Sequence, residues 1–72
     1  MYLAIALFTD EGSGQSITLS YGTTFSEAED VATFVCNRSN MPRENLNTVL
    51  LLQNGANAPI VINHWSAAEE DF

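Results

Sequence analysis

Apolar residues fill both faces of the first strand-length segment, alternate with polar ones in the second, switch to a helical spacing in the middle, and return in two short runs after it. Tyr2 to Thr9 places Leu3, Ile5 and Leu7 on one side and Tyr2, Ala4, Ala6 and Phe8 on the other. Both sides are apolar, which predicts a strand buried on both faces and central in its sheet. Asp10-Glu11-Gly12-Ser13-Gly14-Gln15 reads as a glycine-punctuated hairpin loop. Ser16 to Tyr21 then alternates strictly, with Ile17, Leu19 and Tyr21 inward and Ser16, Thr18 and Ser20 toward water.

Ala28, Val31, Ala32, Val35 and Cys36 recur at helical spacing and predict a helix lying on the sheet. Glu27, Asp30, Thr33 and Asn37 occupy the opposite side, with Phe34 between the two and partly exposed. Ser26-Glu27-Ala28-Glu29 matches a capping box, in which hydroxyl and carboxylate each take up a backbone donor of the first turn. Thr24-Phe25-Ser26-Glu27 offers a second register. Glu27, Glu29 and Asp30 also suit the positive end of the helix dipole.

After a polar stretch in which Pro42 starts a short turn of helix, Thr48 to Gln53 and Ile60 to Trp65 predict two further strands. Asn54-Gly55 between them is the usual dipeptide for a left-handed turn. Ser66-Ala67-Ala68-Glu69 is another capping box, so residues 66–72 read as one helical turn or an acidic tail. The fold expected is α+β, a four-stranded, mainly antiparallel sheet with one helix on one face, in ββαββ order. Seventy-two residues make a single compact domain, 1–72, which buries about 60% of the surface its unfolded chain exposes.

Charge narrows the function. The chain has nine Asp and Glu against two basic residues, Arg38 and Arg43, for a net charge of −7. Binding nucleic acid through its phosphates needs clustered cations, so direct contact with DNA, RNA or an anionic membrane is not expected. Met1 to Phe8 has no basic flank and runs into Asp10 and Glu11, so it reads as a strand and not a leader. No apolar run reaches the ~18 residues of a membrane span. With one cysteine there is no internal disulfide, and the expected compartment is the cytoplasm.

Catalytic and metal chemistry find little support. Zinc needs three or four suitably spaced ligands, and the chain has one Cys and one His, Cys36 and His64. A Cys36–His64 thiol and base would need a reactive thiol, yet Cys36 falls on the buried helix stripe where a thiol is inert. Gly12-Ser13-Gly14 joins two strands and follows two acids, so it is a turn and not a phosphate loop. No enzyme, cofactor or metal is expected.

The acidic groups remain: Asp10 and Glu11, Glu27, Glu29 and Asp30, Glu44, and Glu69, Glu70 and Asp71. A folded chain of this length is roughly 29 Å across, over which duplex DNA carries about 17 charges. Nine carboxylates are about half that, comparable to one side of a duplex, so gathering them on one face would make a nucleic-acid mimic. This profile (no lysine, strong net negative charge, ββαββ order, no catalytic set) resembles the small inhibitors made by phages and mobile elements, the anti-CRISPR proteins in particular. The resemblance covers the whole chain but rests on the acidic positions and the element order, with no signature motif, so no residue role is carried over. It implies a protein that sits on the nucleic-acid-binding surface of a CRISPR effector.

The function expected is therefore a stoichiometric inhibitor that covers a basic surface of a protein partner, a nucleic-acid-handling complex, by steric and electrostatic occlusion. Glu27, Glu29 and Asp30 on the helix and Glu69, Glu70 and Asp71 in the tail would meet its Lys and Arg, with Phe72 as an apolar anchor. The second reading is a structural or oligomerising module. In it an edge strand, Ile17 to Tyr21 or Ile60 to Trp65, pairs with its twin, so both monomer and homodimer are in view.

Overall fold

The computed structural model describes residues 1–10 and 12–70, the last two as backbone only. The chain folds in the expected ββαββ order: β1 (Tyr2–Thr9), β2 (Ser16–Thr23), α1 (Ala28–Ser39), β3 (Leu46–Asn54) and β4 (Pro59–Ser66). A 3-10 turn, Arg43–Asn45, precedes β3 and starts after Pro42 as the sequence predicts. A single helical turn, α2 (Ala67–Glu70), follows β4.

The sheet is antiparallel throughout, in the order β2-β1-β3-β4. Two hairpins, β1–β2 and β3–β4, meet along β1 and β3. Since β2 and β3 are both antiparallel to β1, they run the same way, and α1 carries the chain across β1 from one to the other. The β1–β2 turn is built on Asp10. Its carboxylate accepts from the Gly12 amide and the Ser13 hydroxyl, each at 3.0 Å, while Gly14 takes a left-handed φ of 71°.

The loop from β3 to β4 corrects the expected turn. Gly55 is not left-handed; its amide donates to the Ala58 carbonyl at 3.0 Å. A Cβ on Gly55 would stand 2.5 Å from the Ala58 oxygen, so close approach, and not φ, requires glycine here.

α1 packs on one side of the sheet over Ala4, Ala6, Phe8, Leu46, Val49, Leu51 and Trp65, with Val31, Ala32, Val35 and Cys36 facing down. The two alanines of β1 are small enough to let the helix settle low, and Phe8 fills the end of the layer. The helix closes on Asn40, left-handed at φ 57°, whose amide caps the Cys36 carbonyl. β1 is central, as expected, but it is not buried on both faces. The residues paired on its far side, Leu3 with Leu52, Ile5 with Leu50 and Leu7 with Thr48, lie on the face that α1 leaves uncovered. β2 alternates as predicted, although with little burial: Leu19 and Tyr21 are half-covered and Ile17 is exposed at the sheet's edge.

Candidate functional site

The four strands contain no Asp, Glu, Lys or Arg. Among the described residues every Asp, Glu and Arg therefore belongs to a turn or a helix or its start, and the molecule has two unlike sides. One is the helix layer, which carries acid. The other is the open side of the sheet, whose strand positions carry none.

The start of α1 departs from the capping-box expectation. Glu27, not Ser26, occupies the cap position, in extended conformation and with no side-chain cap hydrogen bond. Glu29 is drawn elsewhere. One carboxylate oxygen accepts from Arg43 at 2.5 Å and the other from the Trp65 indole N–H at 3.1 Å. The Arg43 guanidinium lies over the Trp65 ring, 4.9 Å from its centroid, so three residues from α1, the 3-10 turn and β4 close on one another. A buried indole N–H demands an acceptor, and that demand outweighs the cap.

The acidic residues predicted to meet a partner thus divide. Glu27 and Asp30 are exposed and, three apart, share one helix face. Glu29 is exposed too, but its carboxylate is tied to Arg43 and Trp65. Asp30 lines a shallow cleft with Phe25, Thr33, Phe34, Asn37 and Arg38. Phe25 and Phe34 pack there with centroids 5.6 Å apart, and Tyr21 meets Phe34 edge-on at 6.3 Å. Phe25 is exposed and Phe34 half-buried against the core, and aromatic side chains at a surface are what protein interfaces use as anchors. The sequence signals Phe34 by its intermediate helical position; Phe25, ahead of the helix, gives no comparable signal.

The tail leaves the sheet from the edge strand β4, at the far side of the sheet from Tyr21 and β2. Ala67, two residues after Trp65, packs against the core and opens α2, which carries Glu69 and Glu70. Their side chains, and all of Asp71 and Phe72, lie outside the described residues.

Cys36 and His64 are not brought together. Cys36 is buried on the side of α1 that faces the sheet, and burial pushes its thiol above the usual range, with Arg43 opposing. His64 pairs with Leu50, on the opposite side of the sheet. Among the described residues no three His, Cys, Asp or Glu gather to hold a metal ion, and no helix is long and apolar enough to cross a membrane.

On the open side, Leu3, Ile5, Leu7, Leu50, Leu52 and Val61 form a continuous apolar field across β1, β3 and β4. Leu3 is 42% exposed, Leu50 37% and Val61 51%, and Ile62 in the bulge of β4 is 41% exposed. No family model, curated protein or solved structure matches this chain.

Proposed function

We propose that the protein is a non-catalytic, stoichiometric inhibitor that works in the cytoplasm by covering a basic, nucleic-acid-binding surface of a partner protein, in the manner of anti-CRISPR proteins on a CRISPR effector. The observation that supports this reading is the segregation of charge in a chain of net charge −7: among the described residues the carboxylates lie at the start of α1 and in the turns, and none interrupts the strands. Glu27 and Asp30 supply charge at the helix start, Phe25 and Phe34 the adjoining apolar anchor, and Glu69 to Asp71 further charge from the tail. Such a surface attracts cationic grooves over about 8–10 Å, the screening length at ordinary salt, and holds them by contact. An interface of ~800 Å² per partner would take about a sixth of the 4724 Å² surface.

The test is capture from a bacterial lysate at low and high salt, with wild type and with Glu27→Lys/Asp30→Lys, followed by competition with duplex DNA. The expected result is a basic nucleic-acid-binding protein retained at low salt, released by DNA and lost with the charge-reversed variant. Capture that charge reversal leaves unchanged would refute the electrostatic mechanism.

A second reading, association through an edge strand, is favoured by one observation. Both strands named for it, β2 and β4, are the sheet's edges. β4 begins at Pro59 and is bulged, whereas β2 is a regular eight-residue strand without either safeguard. A β2–β2 dimer would protect backbone amides along Ser16–Thr23 from hydrogen exchange in a concentration-dependent way.

A further inference from the structure

We infer that the open face of the sheet is the interface of a face-to-face homodimer, in which a second copy of this chain covers Leu3, Ile5, Leu50, Leu52 and Val61. An antiparallel sheet that meets water on one side ordinarily shows polar residues there. The edge strand β2 does so, placing Thr18 and Ser20 on this face beside Leu7 and Ile5. The three strands next to it are apolar over most of this face. Their open-face positions are Leu and Ile in β1, Leu50 and Leu52 in β3, and Val61 in β4, with Thr48, Ser66 and His64 toward one end. The arrangement is an apolar field bordered by polar residues along β2 and at one end, as an interface core is bordered by its rim.

Charge selects the second copy as the occupant. Each chain carries −7, so two copies meet closely where neither presents a carboxylate, and the strands that make this face contain none. Its strands also supply no Lys or Arg to complement an acidic partner and no Asp or Glu to complement a basic one. A neutral apolar surface is matched by another like it, and a two-fold axis near the paired residues Ile5 and Leu50 would set each copy's apolar field against the other's.

Area permits it. Four strands spaced about 4.8 Å apart and eight residues long at about 3.3 Å per residue give a flat footprint near 500 Å² per copy. Two such faces reach about 1,000 Å², the lower bound for a specific interface, before side-chain relief is counted. Two sheets stacked about 10 Å apart at about −30° would interdigitate these side chains as in a β-sandwich. The two acidic helix layers would then point outward, away from each other. This inference uses a different surface from the inhibitor reading and stands or falls separately from it.

Sedimentation equilibrium of the full chain over a wide concentration range tests it, with Leu50→Lys, the milder Leu50→Thr, and Asp30→Asn on the helix side as control. The expected result is a species of twice 7.9 kDa for wild type and Asp30→Asn. Leu50→Thr should weaken the dimer at least about tenfold, a change of about 1.4 kcal/mol, and Leu50→Lys should give a monomer with an unchanged far-UV spectrum. A wild type that stays monomeric overturns the inference. So does a dimer that both Leu50 variants leave intact, which would point to edge pairing. Should Leu50→Lys fail to fold, Leu50→Thr decides by itself.

Discussion

Glu29 and Trp65 are joined by a hydrogen bond from the indole N–H to a carboxylate that also holds Arg43. The bond couples the first turn of α1 to the edge strand β4 across 36 residues of sequence. It also binds to the fold a carboxylate that the helix start alone would have used for capping.

Removing that carboxylate should loosen the docking of α1. Glu29→Ala deletes the acceptor for the indole and the partner of Arg43, and should cost about 1–2 kcal/mol, of the order of one hydrogen bond to a charged group. Glu29→Gln keeps an acceptor for Trp65 and loses only the ion pair. That pair is half in water, with side chains 37% and 64% exposed, so the loss should be below about 1 kcal/mol. Urea unfolding followed by Trp65 fluorescence would rank the two; equal losses would show that charge, and not the indole bond, dominates.

Glycines at the two hairpin loops should respond differently to the same replacement. Gly14 has open space around its Cβ position but a left-handed φ of 71°, so Gly14→Ala should cost about 1 kcal/mol and Gly14→Asn less, because asparagine tolerates that conformation. Gly55 has no such φ, yet its Cβ would meet the Ala58 oxygen at 2.5 Å and Ile60 at 2.7 Å. Gly55→Ala and Gly55→Asn should therefore be equally harmful, since space and not backbone conformation is limiting. Thermal melts of the four variants would separate the two causes.

Legibility of the fold from the sequence follows the same division between local and distant effects. The ββαββ order, the helix stripe of Val31, Ala32, Val35 and Cys36, and the turn after Pro42 are set by neighbours along the chain, and each was readable. Double-sided apolarity correctly marked β1 as central, but it could not distinguish burial from exposure. Leu3 and Leu7 look like core in the pattern and lie on the uncovered side because one 12-residue helix reaches only one face. The capping box failed because a distant partner, Trp65, competed for Glu29. Neither the β2-β1-β3-β4 order nor the Phe25–Phe34 cleft has a local signature. Of the acidic site, the helix residues were legible as exposed charge, while the engagement of Glu29 depended on Arg43 arriving from beyond the helix.

Cys36 should make stability fall on the alkaline side. Burial raises its thiol above the ordinary value of 9.0, so the folded protein keeps a proton that the unfolded chain loses first. The folded state then binds more protons, and stability drops as pH rises from that ordinary value to the folded one. Below it the contribution is constant. Cys36→Ala removes this slope, at a fixed cost of about 1 kcal/mol or less for the lost sulfur contacts. Unfolding measured at neutral and alkaline pH for both proteins checks the sign, and slow alkylation of the native thiol would agree with it. An alkaline loss identical in Cys36→Ala would assign it to other groups.

The two faces of β1 should tolerate substitution unequally. Phe8 is wholly buried beneath the helix layer, and Phe8→Ala should cost about 3–5 kcal/mol, enough to unfold a domain of this size or nearly so. Leu3, on the open face at 42% exposure, can become Thr with retained strand propensity. At low protein concentration Leu3→Thr should melt within a few degrees of wild type, because the isolated chain gains little from that side chain. At high concentration wild type should gain stability by mass action, since anything that binds only the folded chain raises its melting temperature. The variant should gain less. A melting temperature for wild type independent of concentration would argue that the open face stays in water, and a large loss in Leu3→Thr at every concentration would show that the face is needed within a single copy.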